Sequence, residues 1–275
     1  MRSESPADPD ADGGRSRDDA SPGWIATEDG SPTLYSERYQ EHYHNLSGAF
    51  LEARGRYVEP CRVVERARAS GSVSILDVGF GLGFNLAWAW GIVAREAPGA
   101  SIRLVSLESD PITPATWDTF APSFAAPEAL GEDARDVVAG VRELLGTGAY
   151  ARGSLCLKLF VGRAEDTIEQ VEEGFDAVFL DPFSPDRNAE LWTAEFLGAV
   201  ARKCRPGAIL STYSAAVRVR IALLRAGWRI GAGPRVGRKS SGTLASIGET
   251  EPPLPPLAPR VERRLARRAR EVETE

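Results

Sequence analysis

Ile75-Leu76-Asp77-Val78-Gly79-Phe80-Gly81-Leu82-Gly83-Phe84-Asn85 decides the fold of this chain. It opens as a buried-looking strand, runs into three alternate glycines, and continues into a helical pattern. A strand, a glycine loop and a helix in that order form the joint where α/β sheets hold nucleotide-like cofactors. The spacing narrows the cofactor. Gly79, Gly81 and Gly83 make G-x-G-x-G. A dinucleotide fingerprint, G-x-G-x-x-G, needs a small residue at position 84, where Phe84 stands. The G-K-[ST] of a Walker loop is absent.

Outward from this joint, strand and helix patterns alternate. Strands are expected over 73–78, 102–108, 155–161, 175–180 and 208–213. Helices are expected over 83–96, 112–121, 132–146, 190–203 and 214–226. Two last strands, 227–232 and 243–247, suit an antiparallel edge hairpin. Alternating βα units imply an α/β fold, a Rossmann-like, mostly parallel sheet with helices on both faces. Residues 1–22 hold little that can be buried and are expected to be a disordered tail. Residues 23–72 form an aromatic-rich N-terminal extension or lid, with a helix around 47–69. Residues 73–248 are the cofactor-binding domain. Residues 249–275 are a tail: Pro-rich residues 251–260 break the domain, and 261–270 carry five arginines.

The chain has 275 residues, 43% of them hydrophobic, enough for one well-buried domain with extensions. The N-terminus lacks a signal peptide's apolar core, and no apolar run is long enough to span a membrane. A cytoplasmic, monomeric protein is expected. The three cysteines are isolated, which argues against a disulfide or a metal site. A net charge of −6 argues against a protein that coats nucleic acid, while leaving room for a local basic patch. Arg218, Arg220, Arg225, Arg229, Arg235, Arg238 and Lys239 supply a candidate for such a patch.

With the other two glycine loops excluded, residues 77–83 resemble the first motif of S-adenosylmethionine (SAM) methyltransferases. Gly79, Gly81 and Gly83 let the backbone approach the ligand, and Asp77 orients its amino-acid end, directly or through water. Glu108 ends the second strand, where a carboxylate accepts two hydrogen bonds from a ribose diol. After the third strand, Arg163 stands where many methyltransferases carry the acid that contacts adenine. Glu165 or Asp166 is the replacement, and Asp166 is the one assigned. Asp181-Pro182-Phe183-Ser184-Pro185 follows the fourth strand. There Asp181 can hold an amine and assist its loss of a proton, and Phe183 offers a ring to a base. Tyr35, Tyr39, Tyr43 and His44 are candidates to close over the site.

In combination these motifs resemble the methyltransferase part of the MnmC family of tRNA wobble-uridine modification enzymes. The resemblance runs from residue 24 to about 247. It rests on Thr27 to Leu34, Tyr43-His44-Asn45, Val78 to Asn85, Leu180 to Pro185 with Asn188 to Trp192, Arg205 to Ser214, and Gly237-Arg238-Lys239. It implies methylation of 5-aminomethyl-(2-thio)uridine in tRNA, with Asp181 engaging the amine and Phe183 lining the pocket. It places Asn85 with the cofactor loop, and Tyr35, His44, Arg238 and Lys239 on the substrate side. The flavin oxidase domain of the fused enzymes is absent, so the stand-alone form is expected. A separate oxidase or upstream wobble-modification enzymes are its expected partners. After Lys239 the family's R-E-M-L is replaced by Ser240-Ser241-Gly242-Thr243-Leu244. Two competing readings are a SAM enzyme for another amine or base, and a non-catalytic RNA-binding protein of the same fold.

Overall fold

The computed structural model describes residues 23–126, 130, 134–237 and 241–273, the backbone alone for 269–273. The expected tail 1–22 and the substrate-side residues Arg238 and Lys239 lie outside the described residues.

Eight strands form one sheet. They are β1 (Ser72–Val78), β2 (Ser101–Glu108), β3 (Ala149–Arg152), β4 (Leu155–Val161), β5 (Phe175–Leu180), β6 (Cys204–Thr212), β7 (Arg229–Ala232) and β8 (Thr243–Ser246). Their order is β7-β8-β6-β5-β1-β2-β4-β3. The five central strands β6, β5, β1, β2 and β4 pair in parallel. The edges are antiparallel: β3 on β4, and β8 between β6 and β7. Antiparallel β7 and β8 match the expected hairpin.

The period-2 pattern sorts side chains to two faces. Ile75, Leu104, Ala177 and Phe179 point to one core, and Leu76, Val105, Val178 and Leu180 to the other. The first face is covered by α1 (Ala49–Glu52), α2 (Val63–Ser70), α3 (Phe84–Glu96), α4 (Pro114–Phe120) and α5 (Ala134–Thr147). The second is covered by α6 (Ala164–Thr167), α7 (Ala194–Arg202) and α8 (Val217–Arg225).

Three expectations need correction. The single helix over 47–69 is broken. Residues Ala53–Val58 form a π-helix after α1, and Arg62 then turns the chain at φ 55 before α2. Pro60 lacks the backbone donor a continuous helix requires. Strand β3 was not foreseen, because its exposed edge carries no buried face to pattern its sequence. The Pro-rich segment does not leave the domain. It runs beside edge strand β7, where Pro255 O accepts a 2.8 Å hydrogen bond from Ala232 N–H. A final helix, α9 (Pro259–Glu273), then packs on α8 and buries Leu265.

Register positions the site. Val78 pairs with Leu107 on one side and Leu180 on the other. The next residues, Gly79, Glu108 and Asp181, therefore leave the sheet side by side. β1 is also where the chain switches from building one half of the sheet to the other, so a crevice opens there.

Candidate active site

The crevice is a cleft of about 820 Å³, lined by the glycine loop, Asn85, Glu108, the Asp181 loop and the N-terminal segment. The loop's shape needs its glycines. Gly79, Gly81 and Gly83 have φ of 91°, 55° and 79°. A Cβ on Gly79 would lie 2.8 Å from Asp181 O. Gly83 acts differently from its expected role. It caps α3 and does not line the cleft.

Glu108 joins the loop to β2. Its Oε2 accepts a 3.0 Å hydrogen bond from Gly81 N–H, and its Oε1 accepts one of 3.0 Å from Asp110 N–H. Asp77 lies beneath, fully buried and away from the cleft lining. Its Oδ2 accepts from Ser106 Oγ–H at 2.7 Å, and its Oδ1 has no hydrogen-bond partner. Burial, foremost, holds its carboxyl well above the usual carboxylate range.

Asp181 is gripped on both oxygens. Asn85 Nδ2–H donates to Oδ2 at 2.8 Å, and the Tyr57 hydroxyl donates to Oδ1. The rest of its loop is pinned as well. Tyr213 O–H donates to Pro182 O at 2.9 Å, and Trp192 Nε1–H to Phe183 O at 3.0 Å. Glu41 accepts from Ser184 N–H at 3.0 Å and from its hydroxyl. Asn85, assigned to the cofactor, thus bonds directly to the proposed catalytic acid.

The N-terminal segment closes one wall. Tyr35, Tyr39, Tyr43 and His44 all line the cleft. Phe183 lines it too, but Tyr39 already stacks on its ring, 4.1 Å between centroids, and Tyr43 meets it edge-on. The ring expected to receive a base has one face covered. His44 is buried, its ring edge-on to Phe84. Burial, with the Glu108 charge next, pushes the Tyr43 hydroxyl up to about 12.

After β4 the two candidate acids separate. Glu165 lines the cleft and takes a 2.8 Å bond from Arg163 Nη2. Asp166, the residue assigned, is exposed outside it, 3.8 Å from Arg163 Nε. Adjacent residues on a helix point about 100° apart, which puts the two on different sides. Among the described residues of the expected basic patch, three are engaged within the protein. Arg220 is buried against Thr243 and Gly242, while Arg218 pairs with Asp186 and Arg229 with Glu249.

Sequence reasoning missed Tyr57, Glu41, Glu52 and Tyr213. Tyr57, Glu41 and Tyr213 join the site through contacts distant in the chain, and Glu52 by lining the cleft.

These residues fit SAM. At Gly79 the cradle has no room for a Cβ, Glu108 ends β2 on the cleft wall, and Asp77 holds an unmatched buried oxygen below. Six acidic side chains, Glu52, Glu108 and Asp181 among them, line the cleft against three arginines, Arg38, Arg163 and Arg187, an excess of acid that suits a cationic ligand.

The fold and the site together define a class I SAM-dependent methyltransferase. A family model described as "S-adenosyl-L-methionine-dependent methyltransferase" matches residues 133–247. The crystal structure of MNMC2 from Aquifex aeolicus superposes with a TM-score of 0.76, at 33% identity, covering 91% of this chain and 77% of that one. The chain belongs to this family of SAM-dependent methyltransferases. It is also 31% identical over 225 residues to the tRNA 5-methylaminomethyl-2-thiouridine biosynthesis bifunctional protein MnmC of Acidovorax sp. (strain JS42), with 81% of this chain and 34% of the relative covered. For the MnmC of Azoarcus sp. (strain BH72) identity is 35% over 221 residues, with 77% and 33% covered. The chain spans about a third of the length of these curated relatives.

Proposed function

We propose that this chain methylates the exocyclic amine of 5-aminomethyl-(2-thio)uridine at the wobble position of tRNA, giving the 5-methylaminomethyl nucleoside. The observation that carries this reading is the Asp181 carboxylate, held by Asn85 and Tyr57 at the mouth of the glycine-loop cleft. The relatives, named for 5-methylaminomethyl-2-thiouridine biosynthesis, support the same nitrogen.

SAM, when bound, supplies a methyl group on a sulfonium for attack by a nitrogen lone pair. A primary amine at neutral pH is largely ammonium and has no lone pair until it loses a proton. Asp181 accepts the hydrogen bond from that nitrogen, orients it, and assists the loss. Glu108 takes the ribose hydroxyls, and the glycine loop admits the amino-acid end toward Asp77. Tyr35 and His44 bound the nucleoside side of the cleft, with Phe183 as a wall.

In this reading tRNA is the partner, the enzyme is a cytoplasmic monomer, and a separate oxidase or another upstream wobble-modification enzyme supplies the aminomethyl group. Among the described residues no helix is long and apolar enough to cross a membrane. The test is incubation with SAM and tRNA bearing aminomethyluridine, followed by nucleoside mass spectrometry. A gain of one methyl on that nucleoside is expected; unchanged nucleoside with SAM-binding protein refutes the reading. Reversing the charge of Arg238 and Lys239 should impair turnover of tRNA and spare that of a small amine.

A further inference from the structure

Tyr57 reaches Asp181 from behind the cleft. It is 1% exposed and does not line the cavity, so it does not touch substrate. Its ring packs 5.6 Å from that of Phe179 on β5, and its hydroxyl points at Asp181 Oδ1.

The backbone that carries it is unusual. Tyr57 lies in the π-helix Ala53–Val58, where Glu59 N–H bonds Arg54 O, five residues back. Single π-turns inside helices recur at functional sites. Here the wider turn has a geometric effect. In an α-helix, residues five apart point roughly 140° apart. An i→i+5 turn brings them toward one side. Glu52 and Tyr57 are five apart, and both face the site: Glu52 lines the cleft and Tyr57 meets Asp181.

We propose that Tyr57 is a positioning residue for methyl transfer, fixing the Asp181 carboxylate in one orientation and in its ionised form for the substrate amine. This rests on the role given to Asp181 above. Asp181 is faced by Tyr57, with Glu52 and Arg56 nearby, from the first helix; by Asp77 from β1; by Tyr213 from the end of β6; and by Asn85 from α3. Glu41 stands beyond at Ser184. Glu41 and Glu52 oppose a further negative charge. Hydrogen bonds donated to the charged form favour it. The phenol does not give up its proton: burial, then the Asp181 charge, holds Tyr57 well above a phenol's ordinary value. A donor that keeps its proton and an amide that has none to lose leave Asp181 as the fixed acceptor.

The test follows the Asp181 carboxyl by ¹³C NMR in protein labelled at aspartate Cγ, with the resonance assigned through Asp181→Asn. Tyr57→Phe keeps the ring and removes the hydroxyl. The titration midpoint is expected to rise by roughly one to two pH units, the equivalent of one hydrogen bond to a charged group. The acid limb of the kcat–pH profile should rise with it, while KM for SAM holds. A packing role alone moves neither, so an unshifted midpoint overturns the proposal. The NMR measurement needs no substrate. A wild type that titrates as expected yet leaves aminomethyluridine tRNA unmethylated refutes only the tRNA assignment. If the phenylalanine variant does not fold, 3,5-difluorotyrosine at position 57 supplies a stronger donor. The midpoint should then fall, and no shift overturns the proposal.

Discussion

Asn85 Nδ2–H donates a 2.8 Å hydrogen bond to Asp181 Oδ2, joining the first turn of α3 to the end of β5 across 96 residues of sequence. The bond ties the helix that follows the glycine loop to the acid proposed to hold the amine. Misplacement of either then disturbs both.

Replacing Asp181 by alanine should leave a folded protein that still binds SAM by calorimetry. Its turnover of aminomethyluridine tRNA should fall by about 10²-fold or more, the usual contribution of a positioned acid or base. Asn85→Ala should give a smaller loss, since Tyr57 still holds the other oxygen. Single-turnover time courses read by nucleoside mass spectrometry rank the two. Wild-type rates from Asp181→Ala would refute the assigned role.

Glu108→Ala should weaken SAM binding by about 10- to 100-fold, the value of a hydrogen bond to a charged group. Two losses add. The ribose loses its acceptor, and Gly81 N–H loses the Oε2 that holds it at 3.0 Å. Glu165→Ala should cost far less, because its exposed partner Arg163 contributes little. Calorimetry on both variants makes the comparison, and equal losses would contradict the assignment.

The parts legible in the sequence were those with local signals. The glycine loop announced itself by spacing, and β1, β2, β4, β5 and β6 by apolar runs bounded by turns. Glu108 followed from a strand end, and Asp181 from a strand end together with its Asp-Pro-Phe-Ser-Pro loop. The parts that were not legible depend on distant contacts. Tyr57 meets Asp181 across 124 residues, and Glu41 meets Ser184 across 143. No local pattern encodes such pairs. The choice between Glu165 and Asp166 turned on about 100° of helix rotation, finer than boundary prediction reaches. The π-helix escaped because nothing in the local pattern of Ala53–Val58 marks an i→i+5 turn.

Asp77 gives the protein a pH-dependent stability. Its folded carboxyl is raised well above the ordinary 3.8, chiefly by burial. The folded state therefore binds the proton more tightly than the unfolded state. The stability this provides is full below 3.8 and is lost as pH rises through the folded value. Asp77→Asn does not titrate and avoids burying an unpaired charge. Without SAM it should melt higher than wild type at about pH 8, with the gap closing toward pH 4. Saturating SAM should stabilise wild type more than the variant, if Asp77 Oδ1 receives the cofactor's amino end. Scanning fluorimetry with and without SAM checks both. A pH-independent gap would contradict the linkage.

Gly79 and Gly81 differ in what a methyl group would meet. At Gly79 the φ is 91°, and an added Cβ would lie 2.8 Å from Asp181 O and 3.0 Å from Asp181 C. Both are backbone atoms at the end of β5, where Asp181 N–H bonds Val78 O. They cannot yield without pulling the strands apart. At Gly81 the φ is 55°, and the nearest atom is Tyr43 Cδ1 at 3.4 Å, on a side chain that can shift. Gly79→Ala should therefore cost about 2–3 kcal/mol, a fall in Tm of roughly 4–12 °C. Gly81→Ala should cost less stability and act instead on SAM affinity, because Gly81 lines the cleft and its N–H bonds Glu108. Fluorimetry and calorimetry on the pair separate the effects. A Gly81→Ala protein less stable than Gly79→Ala would show that backbone contact with Asp181 does not set the tolerance of this loop.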